Sequence, residues 1–261
     1  MVDSNHTLTD VTLIGHRGFA GVAPENTVAA ARQAGRLGAD TIECDVLPTA
    51  DGRPVVFHDR RLDAHGSSRG ITDAAGAVDE LPTEVVTDAH VLETTQQIPT
   101  FSAFVDAVPE EVGLNVELKH PGTGNVEGAP DTESHRDQWR PLVRQVLDTL
   151  DRETDTVLFS SFSKSSLEIV RSESPNARIA PIAWDLDTAV RMSEALGTEI
   201  IHPSIDGLES AETEPPKGYT VNAWTAKTWQ DAQAAVQHGV DGLIADYPNL
   251  LSTVTEWNDE P

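Results

Sequence analysis

The stretch TIECDVLPTADGRPVVFHD, residues 41–59, decides the fold of this 261-residue chain. Its two arms, Thr41–Val46 and Val55–His58, are short β-rich runs joined only by Leu47–Pro54, which contains Asp51-Gly52. A parallel crossover needs a dozen residues or more, so the link suits an antiparallel hairpin instead. Centring the turn between Asp51 and Gly52 places His58 opposite Asp45. The first arm is then expected to rise above its sheet and fold back on itself.

Working outward, similar runs recur at Thr12–His16, Leu114–Leu118, Val157–Ser161, Arg178–Ala183, Glu199–Pro203, Thr220–Thr225 and Gly242–Asp246, with helical patterns between them. That alternation predicts βα units around a parallel sheet. With the return arm Val55–His58 set aside, eight parallel strands remain, the number that closes a (β/α)8 TIM barrel. The length fits a single barrel domain spanning 1–261. Asn26 is the expected cap of a helix running to Leu37, Asp187 of one ending before Gly197, and Thr228 of one ending before Gly239. The stretch between Asp59 and Pro99 is weakly periodic and rich in Asp, Gly and Thr. It reads as a small insertion over the barrel mouth, and a second acidic loop, Pro121–Arg136, leaves from the same face.

Acidic residues number 43 against 18 Lys and Arg, a net charge of −25, and four of the cations are lysines (Lys119, Lys164, Lys217, Lys227). So negative a field disfavours nucleic acid and anionic membrane surfaces as partners. It also strains the compact state by self-repulsion, which about 1 M salt, with a Debye length of ~3 Å, would screen. The composition therefore reads as that of a halophilic protein, with an acidic mesophilic one as the plainer alternative. The lone Cys44 excludes an intramolecular disulfide and a multi-cysteine zinc site. With no apolar run of membrane-spanning length and no basic, apolar leader at the start, the expected location is cytoplasmic, without stable membrane anchoring.

Period-2 alternation sends Glu43 and Asp45 to one face of their strand and Cys44 to the other, and aligns Glu117 with Lys119 likewise. Charges facing outward would press on the helical layer, so both pairs should point inward near the C-terminal rim. Three converging carboxylates repel one another unless a cation joins them. All-oxygen ligation suits one divalent cation, Mg²⁺, Ca²⁺ or Mn²⁺, rather than zinc. His16 ends the first strand and His58 ends the hairpin, so two histidines meet at the same mouth. Cleaving a phosphodiester needs a base for the nucleophile and an acid for the leaving alkoxide, and histidines suit both. It also needs cations at the non-bridging oxygens, which Arg17 and Lys119 can supply.

These residues resemble a known family, the glycerophosphodiester phosphodiesterases. The matching segments are Gly15-His16-Arg17-Gly18, Pro24-Glu25-Asn26-Thr27, Glu43-Cys44-Asp45-Val46, Asp51-Gly52 with Val55-Val56-Phe57-His58-Asp59, Ile98-Pro99-Thr100, Leu114 through Lys119, Ser160-Ser161-Phe162, Val221 through Thr225, and Gly239 through Gly242 with Asp246-Tyr247-Pro248. They span the chain in order with spacing preserved. The resemblance implies a barrel with the hairpin insertion and divalent-metal hydrolysis of a glycerophosphodiester to glycerol phosphate and an alcohol, within lipid and glycerol metabolism. It implies that His16 and His58 are the acid–base pair, that Glu43, Asp45 and Glu117 hold the metal, and that Arg17 and Lys119 bind phosphate.

Two departures stand out. The family's Arg-Thr-Thr-like run after His58-Asp59-x-x-Leu is replaced by Asp63-Ala64-His65-Gly66-Ser67 behind Leu62. Ala245 stands where Thr commonly precedes the final Asp, which reads as a packing change. Trp224 is read as stacking on the leaving alcohol or as packing, and Glu25 as a partner that orients Arg17 or His16 or as part of a helix start. His120 is a rim residue, and His90, His135, His202 and His238 are surface or structural. The rival readings are a lysophospholipase D-type phosphodiesterase on the same barrel, a silent headgroup-binding protein, and a barrel hydrolase with a histidine-ligated metal.

Overall fold

In the computed structural model, β1 (Thr12–Gly15) pairs in parallel with both β2 (Thr41–Pro48) and β9 (Gly242–Ala245), and this double pairing closes the sheet. The structure describes residues 11–119, 133–150 and 156–258; of 133–138 and 255–258 only the backbone is described. Between those ends run β4 (Gly113–Leu118), β5 (Val157–Ser161), β6 (Arg178–Ala183), β7 (Ile200–Pro203) and β8 (Thr220–Ala226), each parallel to its neighbours. Eight parallel strands thus form a closed (β/α)8 barrel, and β3 (Pro54–Val56) is the antiparallel return arm of β2. Helices α1 (Val28–Arg36), α3 (Phe101–Val105), α4 (Glu133–Thr149), α5 (Lys164–Glu173), α6 (Leu186–Leu196), α7 (Ile205–Glu209), α8 (Trp229–Gln237) and α9 (Leu250–Asn258) lie between or after the strands. No helix among the described residues is long and apolar enough to cross a membrane.

The hairpin register differs by one from the symmetric placement. Val46 faces Val56, Leu47 faces Val55 and Pro48 faces Pro54, so Phe57 and not His58 lies across from Asp45, its N–H donating to Asp45 O at 3.0 Å. The cause is a three-residue loop, with Thr49 N donating to Arg53 O at 3.0 Å and Gly52 alone in the left-handed region at φ +80°. A two-residue turn would have needed a positive φ at Asp51 too. Asp51 instead accepts from Thr49 Oγ1 at 2.9 Å and from Thr83 N at 2.8 Å, which ties the loop to α2 (Thr83–Asp88).

Two caps also differ from expectation. Thr27, not Asn26, caps α1 by accepting from Ala30 N, and Asp185, not Asp187, caps α6 through Thr188 N. Thr228 caps α8 in a reciprocal capping box with Asp231. The outward faces of the barrel strands, Ile42, Cys44, Val116, Phe159 and Ile179 among them, pack against apolar helix residues in one large core. Residues 59–99 with the hairpin gather a second core from Leu47, Val55, Phe57, Leu62, Val86 and Ile98. Burying those chains gives the segment a cohesion of its own. The acidic loop Pro121–Arg136 and His120 fall largely or wholly outside the described residues.

Candidate active site

The carboxylates meet because of strand register. Asp45 on β2 lies beside Glu117 on β4, and Glu43 lies one pleat below on the same inward face. One ligand atom from each lies within 4.8 Å of the others, and all three residues are buried. Burial, then the charges of Asp45 and Glu117, push the Glu43 carboxyl well above its ordinary range. Burial lifts Glu117 to about 7 against the pull of Lys119. Asp45 goes the other way: burial would raise it, but Lys119, Arg17 and the histidines hold it well below the usual range. Asp45 is the member whose charge the site is built around.

Lys119 follows β4, its N–H held by Val46 O at 3.0 Å. Its buried ammonium sits 2.9 Å from Asp45 Oδ1 and donates to Glu117 Oε1. Arg17 occupies a 3-10 turn, His16–Gly18, with φ +53°. That turn points its backbone N–H at Glu43 Oε2, 2.9 Å away. Arg17 Nη1 donates to Glu25 Oε1 at 2.8 Å, and Nε stands 3.2 Å from Asp45 Oδ2. Glu25 thus contacts Arg17 and not His16.

Each histidine has a carboxylate behind it. His16 Nδ1 lies 2.6 Å from Asp246 Oδ1, at the end of β9. His58 Nδ1 lies 2.6 Å from Asp59 Oδ1. A carboxylate on Nδ1 fixes that nitrogen as the N–H and leaves Nε2 as the acceptor. Burial, followed by the charge of Arg17, lowers the His16 pKa. Burial, followed by the charge of Lys119, lowers that of His58 to about 4. Burial thus disfavours the protonated form of both rings in the free protein.

Four supporting residues escaped the sequence reading. Asp59 was legible as the neighbour of His58, and Asp246 as the polar end of an apolar strand. Asn26, at φ +58°, donates to Asp45 Oδ2 at 2.7 Å and accepts from Asp45 N at 3.2 Å, which is why it does not cap α1. Arg69 donates to Glu25 and to Asp59 from within the 59–99 segment. No local pattern announces that contact.

Trp224 lies across the mouth, its indole N–H donating to His202 O at 2.8 Å. It meets Trp184 and Phe162 edge-on, with ring centroids 4.7 and 5.6 Å away. Trp184 is 51% exposed. His202 is fully buried against Asn222, whereas His90 pairs at the surface with Asp73 and His238 is exposed. Ala245 is buried in the main core, where a packing change would lie.

Comparisons with known proteins converge. The sequence profile of the glycerophosphoryl diester phosphodiesterase family matches residues 16–250. A glycerophosphodiester phosphodiesterase of Caldanaerobacter subterraneus subsp. tengcongensis is 28% identical over 92% of this chain and 95% of its own. A probable glycerophosphodiester phosphodiesterase 2 of Mycobacterium tuberculosis is 29% identical over 94% and 92%. Among solved structures, a phosphodiesterase of Oleispira antarctica in complex with the product sn-glycerol-3-phosphate superposes with a TM-score of 0.77. It is 24% identical and covers 94% of this chain and 96% of that one.

Proposed function

Because the chain belongs to the glycerophosphoryl diester phosphodiesterase family, we propose that it is an enzyme hydrolysing glycerophosphodiesters to glycerol phosphate and an alcohol. The observation that carries this reading is the pair of carboxylate-backed histidines, His16 with Asp246 and His58 with Asp59, beside the buried Glu43, Asp45 and Glu117. A binding protein has no need of two imidazoles each held in one tautomer by a carboxylate.

The donor set fits a divalent cation. Glu43 Oε1 is buried without a hydrogen-bond partner, and burial, then the charges of Asp45 and Glu117, raise the Glu43 carboxyl. Glu43, Asp45 and Glu117 would hold it, as hard oxygen donors that suit Mg²⁺, Ca²⁺ or Mn²⁺. When bound, such an ion neutralises charge on the phosphate oxygens.

The rest of the chemistry falls to the protein's own groups. Arg17, braced by Glu25, and Lys119, from its place between Asp45 and Glu117, supply positive charge where the diester's oxygens sit. One histidine accepts through Nε2 the proton of the attacking hydroxyl: water, which gives glycerol phosphate directly, or the glycerol 2-hydroxyl, which gives a cyclic phosphate that a water then opens to glycerol phosphate. The other, protonated, gives its proton to the departing alkoxide as the P–O bond breaks. The arriving anionic diester favours that protonated form, offsetting the lowering by burial and by the neighbouring cations.

The exposed face of Trp184 beside Trp224 and Phe162 favours a second reading, a lysolipid leaving group lying on apolar rings. Release of glycerol phosphate from glycerophosphocholine and glycerophosphoethanolamine, after chelation and with Mg²⁺, Ca²⁺ or Mn²⁺ restored in high salt, tests the first reading. Metal-dependent product supports it. Product from lysophosphatidylcholine with none from the water-soluble diesters transfers support to the second.

A further inference from the structure

Arg69 makes charged contacts with two carboxylates of the site, Glu25 and Asp59. It projects from the 59–99 segment, and Gly70 behind it, at φ +65°, packs so closely on the Ala64 backbone that a Cβ there would lie 2.5 Å from Ala64 N. From that tight loop the guanidinium reaches two carboxylates at once. Nη1 and Nη2 donate to the two oxygens of Glu25 at 2.8 and 2.7 Å. Nε lies 3.2 Å from both Asp59 oxygens, and the Arg69 backbone N–H donates to Asp59 Oδ2 at 2.7 Å. Glu25 is the carboxylate that holds Arg17, and Asp59 is the one that holds His58.

We propose that Arg69 is a positioning residue that couples the seating of the 59–99 segment to the alignment of both Arg17 and His58. The proposal rests on the catalytic reading above for its consequence, and on geometry alone for its mechanism. A planar guanidinium can serve two carboxylates in fixed directions, which an ammonium cannot. Without it, among the described residues, Glu25 keeps only Arg17 and can swing, while Asp59 keeps His58 and the residue-69 backbone N–H on Oδ2 but loses the side-chain bond that fixes the direction of Oδ1 toward His58. His16 is held separately by Asp246 and serves as an internal control. At 39% side-chain exposure, Arg69 contributes through direction more than through the strength of its ion pairs.

The test compares Arg69→Gln and Arg69→Lys with Arg60→Gln, a charge change on an outer arginine of the same segment. Thermal unfolding and circular dichroism check the fold, and nitrogen-15 NMR reads the tautomer of each histidine. For Arg69→Gln in the folded state, His58 is expected to pass from a single Nδ1–H tautomer to a mixture while His16 stays fixed. Turnover of glycerophosphodiester should fall on the order of 10–100-fold, with KM raised as Arg17 loosens. Arg69→Lys should remain impaired although its charge is kept, and Arg60→Gln should match wild type. An unchanged His58 tautomer in Arg69→Gln, or equal disturbance of His16 and His58, would overturn the proposal. Should wild type hydrolyse no glycerophosphodiester, the catalytic reading falls, and the tautomer comparison alone still decides whether Arg69 positions His58.

Discussion

Asp246 Oδ1 lies 2.6 Å from His16 Nδ1 across the seam where the last strand of the barrel meets the first, 230 positions away in sequence. The contact exists only because β1 pairs with β9, Gly15 facing Ala245. Closure of the barrel and the tautomer of a proposed acid–base residue are therefore one structural event. His58 has the same arrangement at the same distance from its neighbour Asp59. One carboxylate is supplied by chain closure and the other by adjacency.

Replacing Asp246 with Asn keeps the shape and changes the chemistry. The amide can donate to Nδ1, which drives the proton to Nε2 and removes the acceptor that faces the site. Turnover of Asp246→Asn should fall by about 10²–10⁴-fold with little change in KM. Steady-state kinetics on folded protein check this. A variant within twofold of wild type would show that the tautomer of His16 is not what Asp246 provides.

Glu43 should cost stability in the metal-free protein. Its folded pKa is raised, by burial first and by Asp45 and Glu117 next. Its ionisation therefore opposes folding above the unfolded carboxyl value of about 4.3 and ceases to do so as pH falls below it. Glu43→Gln is expected to unfold at a higher temperature than wild type in chelator at neutral pH, yet to gain less on adding Mg²⁺ or Ca²⁺ and to lose activity. Thermal melts with and without metal decide it. Equal metal-induced gains in the two proteins would remove Glu43 from the ligand set.

The barrel was legible because its evidence is local: period-2 runs, glycine stops and a hairpin too short for a crossover. The inward side chains followed from alternation, since Glu43 and Asp45 cannot face the helices while Cys44 does. The hairpin register was harder. One left-handed glycine, Gly52, and the bond from Thr83 to Asp51 shift it by a residue, and neither is visible in the strand pattern. The supports were hidden for a different reason. Asn26 resembles a helix cap until its φ of +58° is known, and Arg69 sits 44 residues from Glu25. A contact set by the docking of an insertion has no periodicity to betray it.

Asn26 should matter more than its neutral side chain suggests. It donates to Asp45 Oδ2 and accepts from Asp45 N. Asn tolerates the left-handed backbone, as does Asp. Asn26→Asp therefore retains the turn but sets an acceptor against an ionised carboxylate. Loss of about 1–3 kcal/mol of stability is expected from the broken buried pair, with activity lowered on the order of 10–100-fold. Denaturant melts and kinetics measure both. Wild-type values for both would mean that Asp45 is held by Lys119 and Arg17 alone.

His202 offers a pH prediction separate from the catalytic groups. It lies fully buried on β7 with Asn222 Nδ2 at 3.0 Å from Nε2, and burial lowers its pKa to about 3. Unfolded, the ring titrates near 6.5, so between those values the unfolded state binds the extra proton. The stability carried by its neutral form is complete above about pH 6.5 and drains away as pH falls toward 3. At pH 4.5 the loss from this one ring is roughly 2–3 kcal/mol. Raised carboxyls such as Glu117 shift stability in the opposite direction over part of that range, so wild type alone is a poor reporter. His202→Gln removes the ring and keeps a polar group for Asn222. The stability of wild type relative to this variant should therefore fall by that amount between pH 7 and 4.5, read from denaturant unfolding at each pH. A gap that does not move with pH would mean that the ring takes up its proton in the folded barrel as readily as outside it, and that the interior at β7 is wetter than the packing shows.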